Sequence, residues 1–195
     1  MKKIPKYTKI CAAVSCILLL IYRVLFVLKN KGIYIYFFKR SSDEFMAYIV
    51  MVLIVLIISG TTKLLVYKLH KGKTFVKIFL SVLTVIVLGT YIFTYMWTAA
   101  NFKYFSFKSD NGNHKIIIKE QSLLLWGGGD IYEEIAPGVL KYVGEYGADD
   151  GSRPFSNNAY DISWYESGFS IHYYFGAGSY ADWDGYKTIN IDYVK

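Results

Sequence analysis

The sequence predicts an integral membrane protein: three transmembrane α-helices followed by a small all-β domain, an antiparallel sheet, sandwich or partly open barrel. Three observations carry that prediction. Long apolar runs fill residues 10–28, 45–66 and 75–97, with 19, 22 and 23 residues. A hydrocarbon core of about 30 Å takes roughly 20 helical residues, so each run is long enough to cross. The charge then reverses. Residues 1–98 carry 14 Lys and Arg against two acids, a net of +12, whereas residues 99–195 carry 8 against 13, a net of −5. Finally, the apolar pattern changes near residue 102 from continuous runs to alternation. Residues 1–98 therefore read as a membrane anchor and 99–195 as an extracytoplasmic β domain.

The first run holds both cysteines, Cys11 and Cys16. The distal half has none, so it is neither a disulfide scaffold nor a thiolate metal site. Small residues precede Cys16, but a lipidated cysteine follows its apolar stretch, and here residues 17–28 come after it. The run ends in Lys29-Asn30-Lys31 without a small-residue cleavage site and reads as a retained span. Arg23 lies five residues from its end, about 7.5 Å at the helical rise, and is placed to snorkel. The runs contain no acid to pair with it, which argues against ion- or proton-coupled transport.

The loop at 32–38, Gly-Ile-Tyr-Ile-Tyr-Phe-Phe, is too aromatic for a solvated connection. It is expected in the outer interface or packed under the distal domain. Ser59-Gly60-Thr61-Thr62 and Gly89-Thr90 suit close helix packing. Lys2, Lys3, Lys6 and Lys9 join Lys63, Lys68, Lys71, Lys73 and Lys77 on one membrane face, nine cations against four (Lys29, Lys31, Lys39, Arg40) in the first loop. The positive-inside rule puts the N-terminus in the cytoplasm, and three crossings put the C-terminal half outside. Tyr91, Tyr95 and Trp97 at the outer end of the third run agree. The location is a multi-pass cell-membrane protein.

Strands are expected at 102–108, 114–120, 122–126, 130–135, 139–143, 160–165, 169–175 and 186–194. Asn111-Gly112 predicts a hairpin turn with both central residues at positive φ. Gly127-Gly128-Gly129 reads as a stop, Pro137-Gly138 as a turn, and 144–158 as a long exposed loop. Glu166-Ser167-Gly168 and Asp184-Gly185 read as further turns.

Asp182-Trp183-Asp184-Gly185 starts like a calcium loop but lacks the later ligands and the bidentate Glu, so a hairpin turn is the better reading. Asp149-Asp150-Gly151 reads in the same two ways. Asp149, Asp150, Asp182 and Asp184 are thus the metal candidates, set aside in favour of turns. Glu133 and Glu134 point to opposite faces of a strand, form no dyad, and are expected at a solvated edge. His70, His114 and His172 form no cluster. The sequence has no nucleophile elbow and no phosphate loop, so no cofactor is expected. The aromatic weight of the distal half divides between core and recognition surface, with Tyr146, Tyr174, Tyr180 and Trp183 expected on the surface.

The stretch 109–120, a serine with an Asn-Gly turn and an Ile-rich strand ending in Glu120, is similar to one in uncharacterised small membrane proteins of low-GC Gram-positive bacteria. Those proteins carry it after an N-terminal membrane anchor. The resemblance covers about twelve residues, departs at Asp110 where proline is usual, and implies no function. Function itself is expected to be binding or immunity-type. The β domain would meet another envelope protein, a peptide or a wall polymer, with the lipid bilayer as second partner and no nucleic acid. The alternative is an envelope enzyme or transport-complex subunit whose four distal aspartates converge in one cleft.

Overall fold

The computed structural model describes residues 5–68, 74–99, 102–123, 125–176 and 185–193. The chain divides into two compact units, Met1–Asn30 with Ser42–Trp97, and Lys31–Ser41 with Thr98–Lys195.

The first unit is helical: α1 (Lys6–Asn30), α2 (Ser42–Lys68) and α3 (Thr74–Ala99). Asp43 and Glu44 occupy the first turn of α2, where carboxylates complement the helix dipole. Lys29, in the last turn of α1, bonds Asp43 at 2.9 Å. Gly60 lets α1 approach α2, since a Cβ there would stand 3.4 Å from that of Cys11. Tyr7 and Ser59 share a hydroxyl hydrogen bond of 2.6 Å across the same pair, and Tyr91 Oη donates to the Ala47 carbonyl at 2.7 Å. Two helices, Lys6–Asn30 and Ser42–Leu64, are long and apolar enough to cross a membrane. The third run is also helical, but its described apolar stretch, Ser81–Phe93, is shorter than a span.

The second unit is a half-barrel antiparallel β domain. Its larger sheet has the order β2-β1-β6-β5-β4-β3, built from β1 (Ile33–Phe37), β2 (Arg40–Ser41), β3 (Lys103–Lys108), β4 (Lys115–Leu123), β5 (Trp126–Ala136) and β6 (Val139–Ala148). The smaller has the order β7-β8-β9, from β7 (Tyr160–Trp164), β8 (Gly168–Tyr174) and β9 (Tyr186–Asp192). The aromatic first loop is therefore a strand of this unit, with Tyr34 opposite Leu140 on β6.

Alternation sorts the large sheet into two faces. Ile116, Ile118, Ile131 and Tyr146 meet Phe169, Ile171, Tyr173 and Ile191 of the small sheet in one core. On the opposite face Ile117, Tyr132, Tyr34 and Leu140 form a second cluster, flanked by Tyr36, Tyr104 and Tyr142.

Several expectations need correction. The three glycines do not stop a strand: β5 starts at Trp126 and runs straight through them, because their backbone still pairs with Glu120, Gln121 and Ser122 of β4. The loop predicted at 144–158 begins only after Ala148, and its Pro154 and Phe155 are buried rather than exposed. The turn at Asn111-Gly112 has only Gly112 at positive φ, 71°. Ser109 and Asn111 shape a longer loop instead: Ser109 Oγ donates to Asn111 Oδ1 at 2.7 Å, and the Asn113 N–H donates to the same oxygen at 3.1 Å. Two consecutive left-handed residues occur instead at Phe38 and Lys39, φ 51° and 57°, between β1 and β2, and at Asp150 and Gly151, φ 51° and 64°.

Candidate functional site

Strands β4, β5 and β6 position a cleft on the tyrosine-bearing face of the large sheet. Asp130 on β5 stands in register with Glu145 on β6, and Gly128 with Gly147. Gln121 on β4 is opposite Gly128. Trp126, two residues before Gly128, shares their face, and its ring edge comes within 3.4 Å of where a Gly128 Cβ would be. The indole thus leans along the strand and remains 51% exposed. The cavity so formed has a volume of about 250 Å³, lined by Gln121, Trp126, Gly129, Asp130, Glu145, Tyr146 and Gly147.

The missing side chains are as important as those present. A Cβ at Gly129 would lie 1.8 Å from the Lys119 carbonyl oxygen, so only glycine allows β4 to come this close. A Cβ at Gly147 would meet nothing within 4 Å, which leaves the floor of the cleft open.

Two carboxylates, Asp130 and Glu145, border the cleft. Cβ atoms of register partners stand about 5 Å apart, so two carboxylates are held side by side. Tyr132 Oη donates to Asp130 Oδ2 at 3.1 Å and Tyr142 Oη to Glu145 Oε2 at 3.4 Å. Burial, then the negative charges of Glu145 and Asp130, push the Tyr142 phenol above its ordinary pKa. Lys119 is the register partner of Asp130 on its other flank. Its ammonium, however, stands over the Phe102 ring at 4.3 Å, and the residue is buried. An indole face, two acids and an amide can bind; no nucleophile with an adjacent base lines this cavity.

A second depression of about 420 Å³ lies between the β3–β4 and β7–β8 turns, lined by Ser109, Asp110, Asn111, Trp164, Tyr165, Glu166 and Tyr193. Behind it His114 stacks on Tyr193 at 3.5 Å and bonds Glu133 at 3.0 Å. Glu133 is consequently no solvated edge residue but 6% exposed on a central strand. Glu134 points the other way, as alternation requires, to Lys115 at 2.6 Å.

The described residues singled out from the sequence do not gather at one site. Tyr146 belongs to the core and not to the surface, 4% exposed, its ring edge-on to Phe155 and Tyr173. Tyr174 is half-buried against Tyr186. Asp149 and Asp150 shape a turn, in which the Asp150 N–H donates to Asp149 Oδ1 at 3.0 Å. Tyr180, Asp182, Trp183, Asp184 and His70 lie outside the described residues. Among the described residues, no group of three or more His, Cys, Asp or Glu is placed to hold a metal ion. Sequence reasoning missed the cleft because it cut the chain at the glycines. The signal was present: Trp126, Gly128 and Asp130 alternate onto one face as soon as the strand continues through them.

Compared with known proteins, the chain matches no family model, no curated protein and no solved structure.

Proposed function

We propose that the protein is a membrane-anchored binding module of the cell envelope, accessory or immunity-type in role, whose β unit recognises a partner through the Trp126–Asp130–Glu145 cleft. The cleft carries this reading: a half-exposed indole and two carboxylates border a cavity that has no catalytic constellation beside it among the described residues. The helices support the anchor. Only 6% and 17% of the apolar windows of α1 and α2 are buried within the protein, whereas a core helix of a globular domain would bury most of such a surface. The apolar stretch 75–97 supplies a third crossing. The nine-to-four excess of cations then sets the N-terminus in the cytoplasm and the β unit outside, where it meets an envelope protein, a peptide or a wall polymer.

Two measurements on the full chain test this. A phosphatase fused after Lys195 is active, whereas a fluorescent protein there stays dark; the reverse sinks the orientation. A photoreactive residue at Trp126 gives a discrete adduct in intact cells, and the same residue at exposed Asn157 does not. Equal labelling from both positions, or none from Trp126, sinks recognition through the cleft.

A further inference from the structure

We infer that the depression between the β3–β4 and β7–β8 turns binds a neutral saccharide, with a pyranose ring against Trp164 and Tyr165 and its hydroxyls on Asp110, Asn111 and Glu166. The inference extends the binding-module reading to a second site, which shares no lining residue with the Trp126 cleft.

Size and aromatic content set the class of ligand. About 420 Å³ lies within the range of roughly 300–1,000 Å³ usual for small-molecule sites. Trp164, Tyr165 and Tyr193 line it beside the polar residues. Tyr165 is 57% exposed, yet its hydroxyl is engaged with Ser170 Oγ at 3.0 Å. What it offers outward is therefore ring. A sugar has an apolar C–H face that such rings cover, and a hydroxyl rim that needs polar partners.

The polar groups narrow the choice. Asn111 Oδ1 accepts the Ser109 hydroxyl and the Asn113 N–H, which identifies that atom as the oxygen and occupies its two lone pairs. The exposed Asn111 side chain is left with its amide donors to offer. Asp110 and Glu166, also exposed, offer acceptors when ionised. Donors and acceptors on one rim match a hydroxyl, which is both. An anionic ligand would meet two carboxylates, and a bare cation would leave the amide donors unmatched.

The walls are held before a ligand arrives. Ser109 and His114 exchange bonds, the Ser109 N–H to the His114 carbonyl and the His114 N–H to Ser109 Oγ, both at 3.0 Å. Across the depression, the Tyr165 N–H closes its turn on the Gly168 carbonyl at 2.8 Å. The Tyr193 N–H donates to the Ser167 carbonyl, also at 2.8 Å. Trp164 packs on Phe169 with ring centroids 5.6 Å apart. A site fixed in this way gives up little freedom on binding.

The test uses the full chain in a polyoxyethylene detergent, which carries no sugar of its own. Isothermal titration at millimolar ligand compares neutral trimers of N-acetylglucosamine and of glucose with an anionic galacturonate trimer and with acetyl-Ala-Gly-Arg-Gly-Ala-amide. The variants are Tyr165→Ala, Tyr165→Phe and Glu166→Ala, and unchanged near-ultraviolet circular dichroism verifies their folds. At least one neutral trimer binds, more tightly than the galacturonate trimer, and added salt leaves its affinity unchanged. Tyr165→Ala and Glu166→Ala each lose at least about tenfold. Tyr165→Phe, which keeps the ring, stays within about twofold of the wild type. Absence of binding by both neutral trimers, equal binding of the galacturonate trimer, or wild-type affinity in Tyr165→Ala or Glu166→Ala overturns the site. Binding of the arginine peptide alone overturns it as well. The Trp126 adduct separates the two readings: saccharide binding without that adduct keeps this site and removes the cleft, and the adduct without saccharide binding does the reverse.

Discussion

Glu120, 1% exposed on the core face of β4, accepts the Phe155 N–H through Oε1 at 2.8 Å. Its carboxylate also accepts the Ser156 N–H, at 3.3 and 3.2 Å, and the Ser156 hydroxyl. A buried acid thus satisfies the backbone of the loop after β6. That loop carries Phe155 into the core, with ring centroids 4.8 Å from Tyr160 and 5.1 Å from Tyr146. Hydrogen bonds to charged groups are worth about 1.5–3 kcal/mol, and a stranded buried donor costs a similar amount. Glu120→Ala is expected to destabilise the β unit by about 3 kcal/mol, and Glu120→Gln, which keeps one acceptor, by less. Phe155→Ala is expected to cost about 3–5 kcal/mol. Denaturant unfolding of the full chain, followed by near-ultraviolet circular dichroism, reads these losses. A wild-type midpoint for Glu120→Ala would show that the network does not hold the loop.

The strands that were legible in the sequence are those whose alternation is chemical. Residues 103–108, 160–164 and 168–174 each carry aromatic or β-branched residues on one face, and each forms a strand close to its expected bounds. What was not legible has a common cause: the deciding property lies on a neighbour. Gly129 looks like a breaker until the Lys119 carbonyl fills the place of its Cβ. Residues 33–37 look interfacial until β6 offers them an edge. Glu120 closes a strand as any exposed acid does, and only the loop 35 residues later makes it structural. The cleft shares that fate, since Asp130 and Glu145 become neighbours through strand register alone.

Phe38 and Lys39 occupy the left-handed region, where a side chain costs about 1–2 kcal/mol per residue. Phe38 is 83% exposed, so little burial offsets the cost. Asn-Gly is the pair suited to this turn. The double variant Phe38→Asn with Lys39→Gly is expected to raise stability by about 1 kcal/mol in the same unfolding measurement, part of the relief being returned to the freer unfolded chain. A loss of stability would mean that the 4.2 Å contact between the Phe37 and Phe38 rings outweighs the backbone strain.

Glu134 makes one pH dependence specific. Burial alone would raise its pKa. The hydrogen bonds from Lys115 and the Gly138 N–H, with the charges of Lys115 and Lys108, together outweigh burial and bring it below the ordinary 4.5. A carboxyl with a lowered folded-state pKa stabilises above its unfolded value and loses that contribution as pH falls through the folded value. Glu134→Gln should therefore cost about 1 kcal/mol at pH 7. The deficit should shrink as pH drops below 4.5 and vanish once both states are protonated. Paired unfolding curves from pH 7 to pH 3 check this, and a deficit that persists at the acid end would assign the effect to packing.

Tyr146 gives the sharpest test of the core. Its hydroxyl is buried and has no hydrogen-bond partner among the described residues, while its ring packs edge-on to Phe155 and Tyr173. Burial, then the nearby Glu120 carboxylate, pushes the phenol far above its ordinary pKa, so it stays neutral. Leaving a buried hydroxyl unsatisfied costs about 1–3 kcal/mol, whereas the ring itself contributes through burial. Tyr146→Phe removes the cost and keeps the ring. It is expected to stabilise the β unit by about 1 kcal/mol. Tyr146→Ala, which opens a cavity, should destabilise by about 3–5 kcal/mol. Were Tyr146 a contact residue at the surface, the two substitutions would leave the unfolding midpoint nearly unchanged and affect partner binding instead. A stabilising Phe beside a destabilising Ala is the signature of a core position, and the opposite order would mean that the hydroxyl has a partner.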